Sequence, residues 1–305
     1  DRLVYTVDGY RRIADVKIGD MVYSHTGQLR HVTGTLKRRH RGSMVTLSFH
    51  GYKRGIESTA EHPYLVLRRD TVRQPAGRRR NNLRDARPSW LAAEDIDVGD
   101  FLLQPVIDEG VETVERVELA YIYGAFCGDG CRIIQRAWRN KRGPHKLMGL
   151  GFACDMWLPD NIEKLEDLLN SYCKNSPRRY ADEDRNYVSI RVYDQEFASD
   201  VVAKCGDLCL NKIVPDYLFT ASIAERLSFL AGMLDTDGSV DHKKLTGRLI
   251  GANEQLIRGC YLLALSCGLP CTFGWHETSG GFSVDASTAF VVYLCKESLH
   301  KLSEY

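Results

Sequence analysis

The chain has 305 residues, with 41 lysines and arginines against 40 aspartates and glutamates, and a formal net charge of +1 at pH 7. This length leaves room for about two domains, and the near-zero charge excludes a uniformly basic nucleic-acid-binding protein. No apolar run reaches the roughly 20 residues of a membrane span, and the N-terminus does not resemble a secretory signal, so we expect a cytoplasmic protein without a membrane partner.

Basic residues are concentrated in a few blocks of the sequence. Eight arginines lie between Arg68 and Arg87, and six lysines or arginines lie between Arg132 and Lys146 without an acid. A shorter basic block spans residues 37–41. Charge that is balanced overall but clustered locally is typical of a protein that presents selected faces to phosphate. A solvated loop is the alternative interpretation of each block.

Ten cysteines raise the question of a zinc site or a disulfide framework. No Cys-x-x-Cys pair occurs, and no second pair of ligands at zinc spacing completes any of the three cysteine pairs with i, i+4 spacing. Because no secretory signal is present, we interpret the cysteines as reduced thiols. A zinc site is the alternative.

The first hundred residues have the pattern of an all-β domain. Short apolar and β-branched runs alternate with turns rich in glycine and aspartate, as expected for strands and hairpins. The predicted strands are 4–6, 18–23, 45–49, 64–67 and 98–103. Residues 90–96 are interpreted as a single helical turn, and a linker is predicted over 105–110.

Two similar segments, 119–130 and 227–238, stand out in the rest of the sequence. Each is an apolar stretch with small residues at helical spacing, and each ends in Asp-Gly, first at Asp129 and then at Asp237, 108 positions later. The pattern predicts two helices whose small residues let the backbones approach closely, each followed by a glycine in the left-handed conformation. The alternative is a pair of capped core helices without a site.

The two aspartates are predicted to form a metal site. At adjacent C-terminal helix ends, the carboxylates meet two negative helix-dipole ends and each other, so that a cation is needed to stabilise them. Oxygen ligands that are open to phosphate suit Mg²⁺, and shared metal ions activate water and stabilise the leaving oxygen in phosphodiester hydrolysis. We expect two or more Mg²⁺ ions shared by Asp129 and Asp237, with the preceding residues Gly128 and Thr236 beside them.

Each Asp-Gly segment opens a similar series of elements, which predicts an internal α+β repeat. Each half has roughly the order helix, two strands, helix, two strands, helix. In the first half, the elements predicted after Asp129 are strands 132–138, 147–155 and 187–192 and helices 160–174 and 195–204. In the second half, those predicted after Asp237 are strands 239–243, 248–252, 272–276 and 282–285 and helices 254–267 and 288–297.

The repeat also pairs two lysines. Residues 210–213 follow the last predicted helix of the first half, and they match 299–302 after the last predicted helix of the second. A pseudo-two-fold axis would bring Lys212 and Lys301 to the catalytic centre from symmetric sides. A lysine ammonium there balances the developing charge on the reacting phosphate or orients the attacking water. An exposed loop lysine is the alternative for both.

The second segment, Leu-Ala-Gly-Met-Leu-Asp-Thr-Asp-Gly at 230–238, resembles the LAGLIDADG motif of homing endonucleases, and the first segment is a looser version. The resemblance implies a monomeric, two-repeat, Mg²⁺-dependent endonuclease that cleaves double-stranded DNA at a long asymmetric site. Its two β-sheets would lie in adjacent major grooves. Lys212-Ile-Val-Pro also resembles a Lys-x-x-Pro segment of intein endonucleases. The residues expected to bind DNA are Arg132, Arg136, Arg139, Lys141, Arg142, Lys243, Lys244 and Arg248.

The N-terminal region resembles the Hint-type splicing domain of inteins. Residues 3–9 and 18–22 are similar to the opening strands of that family, and 90–103 are similar to the strand that leads into an embedded endonuclease. Thr59-Ala60-Glu61-His62 resembles the Thr-x-x-His motif. The resemblance implies that His62, with Thr59 beside it, hydrogen-bonds the scissile amide during the first acyl shift. The partners in cis would be the flanking segments of a host protein, the exteins.

The expected fold class is therefore an all-β Hint-type splicing domain at 1–108, with a basic insertion at about 70–88, followed by an α+β two-repeat LAGLIDADG endonuclease at 109–305. Its repeats are predicted at about 115–215 and 223–305. The sequence starts without a Cys or Ser nucleophile and ends without a His-Asn pair or a C-terminal splicing segment, so these residues alone are not expected to splice. The alternatives are a splicing element with a degenerate, non-cleaving endonuclease, and a non-catalytic DNA-binding regulator built on the same repeat.

Overall fold

The computed structural model describes residues 3–7, 9–72, 86–107, 114–135, 146–182, 186–278 and 287–305. The chain divides into Asp1–Val106 and Ile107–Tyr305, which we call unit 1 and unit 2. Within the described ranges, no helix has both the length and the apolar character that crossing a membrane requires.

Unit 1 is built from short antiparallel strands wherever it is described. The strands are β1 (Leu3–Thr6), β2 (Gly9–Arg12), β3 (Met21–Tyr23), β4 (Leu29–His31), β5 (Met44–Phe49), β6 (Tyr52–Thr59), β7 (Pro63–Leu67), β8 (Ser89–Ala92) and β9 (Phe101–Leu102). The first four form a sheet in the order β2-β1-β3-β4, β5 and β6 form a hairpin, and β7 lies between β8 and β9. Single 3₁₀ turns occur at Ile13–Asp15 and Ala93–Asp95, the second within the predicted helical turn.

A Gly-Asp turn precedes both β3 and β9, and it makes both strands shorter than the sequence predicts. Gly19 and Gly99 have φ angles of 93° and 102°, in the left-handed region that favours glycine. The aspartate that follows each glycine closes the turn. A carboxylate oxygen of Asp20 accepts from the backbone N–H of Lys17 at 2.8 Å, and one of Asp100 accepts from that of Asp97 at 3.1 Å. The two similar sequence patterns therefore form the same turn.

Unit 2 is a mixed α/β fold with antiparallel sheets, in which one series of elements occurs twice. The first copy is α1 (Val114–Asp129), β10 (Gly130–Gln135), β11 (Lys146–Asp155), α2 (Pro159–Tyr172), β12 (Arg178–Asp182), β13 (Tyr187–Val192) and α3 (Gln195–Cys205). The second copy is α4 (Ile223–Asp237), β14 (Gly238–Asp241), β15 (Thr246–Gly251), α5 (Glu254–Ser266), β16 (Cys271–Thr278), β17 (Ser287–Leu294) and α6 (Lys296–Leu302). The strand orders are β10-β11-β13-β12 and β14-β15-β17-β16.

Local sequence patterns fail at the polar and the final elements of the repeat. The helix predicted at 288–297 is wrong, because most of these residues form β17, whose β-branched and aromatic side chains favour an extended chain. The sequence did not predict β12, which is polar and is defined by its pairing with β13. The predicted strand 282–285 and the end of the strand predicted at 132–138 lie outside the described residues.

The helices α1 and α4 pack together with glycines at their contact. A β-carbon at Gly124 would lie 2.9 Å from the carbonyl carbon of Phe229, and one at Gly232 would lie 2.9 Å from the backbone nitrogen of Ala125. Both distances are shorter than van der Waals contact, so this approach requires glycine at the two positions. The small residues of the two similar segments therefore determine how closely the helices meet.

A capping box and a buried arginine fix the start of α4. The Ser222 hydroxyl accepts from the N–H of Glu225 at 3.2 Å, and the Glu225 carboxylate accepts from the N–H of Ser222 at 3.0 Å. Arg226 is fully buried and donates to the Ser266 hydroxyl at 2.7 Å and to the carbonyl of Ile107. A buried charge needs such partners. Through these bonds, Arg226 of α4 is joined to Ile107, the first residue of unit 2, and to Ser266 at the end of α5.

We expect Gly232→Ala to destabilise unit 2 by about 3 kcal/mol, because its β-carbon would overlap the backbone of α1 and force the helices apart. Gly251→Ala is the matched control, since the shortest contact of its β-carbon would be with the flexible end of Ile257, at 3.3 Å, and the substitution should cost less than about 1 kcal/mol. Denaturant unfolding of both variants measures the difference. Equal stabilities would show that the helices do not depend on this contact.

Candidate active site

Asp129 and Asp237 lie where the C-terminal ends of α1 and α4 meet. Each is the last residue of its helix, and a strand begins at the next residue. A β-carbon at Gly128 would overlap the Thr236 hydroxyl and lie 3.2 Å from the β-carbon of Asp237. The close approach of the two helices therefore continues to their ends and brings the two aspartates together, which are the residues the sequence pattern predicts for the site.

The glycines after the two aspartates do not have the predicted left-handed conformation. Gly238 has φ −89° and ψ 170°, and Gly130 is also outside the left-handed region. Both positions are crowded instead. A β-carbon at Gly130 would lie 2.5 Å from the Cα of Phe126, and one at Gly238 would lie 2.7 Å from the Cα of Leu234. The chain turns directly from helix into strand, and glycine provides the space for that turn.

Ionisation of both carboxylates is disfavoured at this position, mainly because they have lost surrounding water. Loss of surrounding water raises the pKa of Asp237 to about 6, with a further contribution from the charge of Asp129. Loss of water also raises the pKa of Asp129. The ammonium of Lys212 acts in the opposite direction on both carboxylates. Both aspartates nevertheless reach solvent, so an additional cation has access to the pair.

Lys212 is held against the end of α1 and is only 6% exposed. Its ammonium donates to the carbonyls of Gly128 and Gly130 at 3.0 Å and 2.8 Å, on either side of Asp129. Asn253 in turn donates to the carbonyl of Lys212 at 2.7 Å and caps the start of α5 with its side-chain oxygen. A residue of the second copy thus positions the lysine of the first, and burial lowers the pKa of that lysine.

The predicted symmetric position of Lys301 is wrong. This lysine lies inside α6 and not after the last helix, because the preceding predicted helix is the strand β17. Its ammonium donates to the carbonyl of Cys267 at the end of α5, at 3.2 Å. Among the described contacts, those of Lys301 do not include Asp237. The two halves of the site therefore differ.

A buried tyrosine of α1 is hydrogen-bonded to a third aspartate, two residues before Asp237, and neither residue was recognised in the sequence. The Tyr121 hydroxyl of α1 donates to the carboxylate of Asp235 of α4 at 2.8 Å, and the Lys164 ammonium lies 3.8 Å from the centre of the Tyr121 ring. Burial raises the pKa of Asp235, while the Tyr121 hydrogen bond and Lys164 lower it. Leu-Asp-Thr-Asp-Gly contains this extra acid where the first segment has Cys127, which is the signal that could have identified it.

Among the described residues, no group of three or more His, Cys, Asp and Glu side chains is arranged to bind a metal. The two carboxylates form a pair of oxygen ligands that leaves most of a coordination shell to water or phosphate, which suits Mg²⁺. The Gly128 carbonyl already accepts from Lys212, and the Thr236 hydroxyl donates to the carbonyl of Gly232 at 2.9 Å. The residues present therefore fit a hard divalent cation at the carboxylates.

The basic residues predicted to bind DNA are found in different environments. Arg132 lies opposite the buried Leu150 in the sheet, on the side that faces the helices, and forms an ion pair with Asp207 at 2.5 Å. Arg248 is exposed on β15, and its guanidinium donates to Ser239 at 2.7 Å. The remaining positions are Lys243 and Lys244, exposed at the β14–β15 turn, and Arg136, Arg139, Lys141 and Arg142, outside the described residues.

In unit 1, Thr59 and His62 occupy a tight turn between β6 and β7. The backbone N–H of His62 donates to the carbonyl of Thr59 at 3.1 Å, and the carbonyl of His62 accepts from the N–H of Ala93 at 2.9 Å. The imidazole is exposed and lies edge-on to the ring of Tyr64, with a centroid distance of 5.1 Å. The backbone of the motif is therefore fixed, while its imidazole reaches solvent.

No protein-family model matches the chain. The chain is 33% identical, over 251 residues, to an iron-sulfur cluster assembly SufBD family protein of Mycobacterium tuberculosis, covering 79% of this chain and 29% of that protein. It is 23% identical, over 285 residues, to the ATP-dependent DNA helicase Hel308 of Thermococcus kodakarensis, covering 79% of this chain and 24% of that protein. The chain thus spans less than a third of the length of either relative.

Among solved structures, variants of the homing endonuclease I-DmoI are similar to this chain with a TM-score of 0.45 and 15% identity, covering 64% of this chain and 98% of that one.

Asp237 is expected to give metal-free unit 2 a distinctive pH dependence. Its folded pKa of about 6 exceeds the ordinary 3.8, so the folded state holds the proton more tightly, and stability decreases as pH rises from 3.8 to about 6. Asp237→Asn should remove this part of the decrease, and Asp129→Asn should reduce it. Thermal unfolding in EDTA across this pH range measures the difference. The same pH dependence in wild type and Asp237→Asn would contradict the assignment.

Proposed function

We propose that unit 2 is a monomeric, metal-dependent endonuclease that cleaves double-stranded DNA. The observation that carries the proposal is the meeting of Asp129 and Asp237 at two helix ends, with the ammonium of Lys212 between the neighbouring carbonyls. Each copy of the repeat provides one carboxylate, so one chain provides a complete pair. Two like charges at this position disfavour ionisation unless a cation is bound, which makes the pair costly as a purely structural feature.

Asp129 and Asp237 would hold two or more Mg²⁺ ions, with the Gly128 and Thr236 positions adjacent. When bound, these ions would polarise the phosphate and lower the pKa of a coordinated water. The carboxylates would fix the position of the ions, because the backbones of α1 and α4 are in contact immediately before them. Their access to solvent leaves room for a phosphodiester on the open side.

Lys212 would provide positive charge beside the reacting phosphate. Its ammonium is fixed by two carbonyl acceptors and its backbone by Asn253, so little rotamer freedom is lost when substrate binds. The charge reaches both carboxylates, as their pKa values indicate. It would therefore stabilise negative charge that develops on the phosphate during cleavage, and on one side of the site only, because Lys301 contacts the end of α5 instead.

The four strands of each copy flank the site, and the two sets of strands would bind the DNA on either side of the scissile bonds. Each sheet begins at the residue that follows an aspartate, so a duplex across the carboxylates would run along both. The exposed Lys243, Lys244 and Arg248 belong to the second sheet. Since the two sheets carry different side chains, we infer a long asymmetric target site.

We expect Asp129→Asn and Asp237→Asn to abolish Mg²⁺-dependent cleavage of duplex DNA while leaving DNA binding largely intact. Removing one carboxylate changes the metal geometry, whereas phosphate contacts along the sheets remain. Asp167→Asn, at an exposed position on α2, is the matched control and should cleave normally. The assay follows nicking and linearisation of a plasmid. This plasmid carries the gene of the host protein without the segment that encodes this chain. Wild-type rates in both site variants would disprove the metal pair, and an inactive wild type would indicate a degenerate endonuclease.

We also propose that the chain is most of an intein, with unit 1 as the N-terminal part of a Hint-type splicing domain. Two of the relatives support this proposal: one carries an iron-sulfur assembly name and the other a helicase name, and each of these two is matched over less than a third of its length. A segment shared by otherwise different proteins is expected of an element inserted into unrelated hosts. The flanking exteins would then be the partners in cis.

In a longer chain that provides the N-terminal nucleophile and the C-terminal splicing segment, His62→Ala should block the first acyl shift. The scissile amide would lose its proton donor, whereas DNA cleavage should persist because Asp129 and Asp237 belong to unit 2. Thiol-induced N-terminal cleavage measures the first effect. Undiminished thiol-induced cleavage in His62→Ala would show that the exposed His62 has no part in the first step of splicing.

A further inference from the structure

The two sheets of unit 2 place an equivalent row of residues beside each aspartate. In the first sheet, this row crosses four strands, each residue directly opposite the next, and consists of Cys131, Gly151, Arg191 and Arg178. In the second sheet, the row at the same register consists of Ser239, Arg248, Tyr293 and Thr272. Both rows start two residues after the catalytic aspartate of their own copy. They are the first outward-facing positions that a duplex at the site would meet.

Alternation along the strands determines the face on which the first row lies. Val192 and Ile190, on either side of Arg191, are completely buried against the helices, so Arg191 projects to the opposite, exposed face. Arg178 is its direct cross-strand partner and shares that face. The next arginine along, Arg179, projects toward the helices and forms an ion pair with Glu166. Adjacent arginines of β12 therefore have different surroundings.

Arg178 and Arg191 form a pair of like charges without a described acidic partner. Two cations directly opposite on neighbouring strands destabilise a sheet, and within the described residues neither guanidinium has a carboxylate at ion-pair distance. Arg191 instead contacts uncharged neighbours, since its guanidinium lies 4.8 Å from the centre of the Tyr180 ring and donates to Ser189 at 3.2 Å. The arrangement is compatible with an anion that bridges both guanidinium groups.

Gly151 has no side chain on the exposed face, which leaves space beside Arg191 and its partner Arg178. A β-carbon at this position would lie 3.2 Å from the sulfur of Cys131 and 3.9 Å from the Cγ of Arg191. The equivalent position in the second sheet is Arg248, which occupies that space with a side chain of its own. In this row, the first sheet therefore presents two guanidinium groups, on β13 and on its edge strand β12. The second sheet presents one guanidinium group, on β15 beside β14.

We propose that Arg178 and Arg191 form a binding site for backbone phosphate of the DNA half-site that contacts the first sheet. The proposal rests on the function proposed above and adds two residues to it that lie on strands outside the β10–β11 hairpin. Guanidinium groups bind phosphate oxygens bidentately, and a phosphate between the two arginines would neutralise their mutual repulsion. Because phosphate contacts carry no sequence information, this pair would contribute affinity and register without base preference.

The test measures the salt dependence of DNA binding by the whole chain, with a pool of randomised DNA duplexes and with EDTA present to prevent metal-dependent cleavage. Arg178→Gln and Arg191→Gln should each weaken binding, and the double variant should reduce the log–log salt slope by about one unit, because the two arginines share one phosphate. The duplexes selected from the pool should show unchanged base preferences. Arg179→Gln, on the same strand but facing Glu166, is the matched control and should keep the wild-type slope.

The possible results separate this inference from the proposed function. If wild type binds DNA with a steep salt dependence but the double variant retains its slope, the phosphate site is disproved while the nuclease proposal stands. If the variants lose preference at one base position without a change in slope, the arginines read bases, and the phosphate site is again disproved. If wild type shows no salt-dependent binding, the proposed function fails first. Thermal unfolding provides the folding control, since removing one of two opposed charges should not lower stability at low salt.

Discussion

The contact between the backbones of α1 and α4 is the constraint on which the rest of unit 2 depends. It requires glycine at Gly124, Gly128 and Gly232, since a β-carbon at any of them would overlap the other helix. Because the helices touch along their length and end together, their last residues must also lie side by side. The same packing that forms the core therefore brings Asp129 and Asp237 together, so stability and the proposed chemistry share one determinant.

The two copies of the repeat share a fold but provide different surroundings for their aspartates. Lys212 is fixed to the end of α1 by two carbonyls, and Asn253 of the other copy holds its backbone. In the last turn of α4, Asp235 accepts a hydrogen bond from Tyr121 of α1. The end of α1 is thus contacted by a lysine of its own copy, whereas the last turn of α4 is contacted by a tyrosine of the other copy. A site of this kind favours unequal roles for its two halves, as an asymmetric DNA target also requires.

Features determined by neighbouring residues in the sequence could be predicted, whereas those determined by strand pairing could not. The Asp-Gly segments identified the α1 and α4 ends, and the match between the two copies of the repeat selected Lys212, which the structure places against the end of α1. The face of Arg132, the polar strand β12 and the arginine pair Arg178–Arg191 depend on sheet register, which a single sequence does not specify. The error at Lys301 has the same origin, since it followed from taking the β17 strand for a helix.

The central claim is that Asp129 and Asp237 jointly bind divalent metal ions. Crystals of the chain soaked in Mn²⁺ would test it directly, because manganese gives an anomalous scattering signal at its own position. We expect a peak within about 2.5 Å of carboxylate oxygens of both aspartates, and its loss in Asp237→Asn. Manganese bound elsewhere in unit 2, with no density between the two carboxylates, would contradict the account.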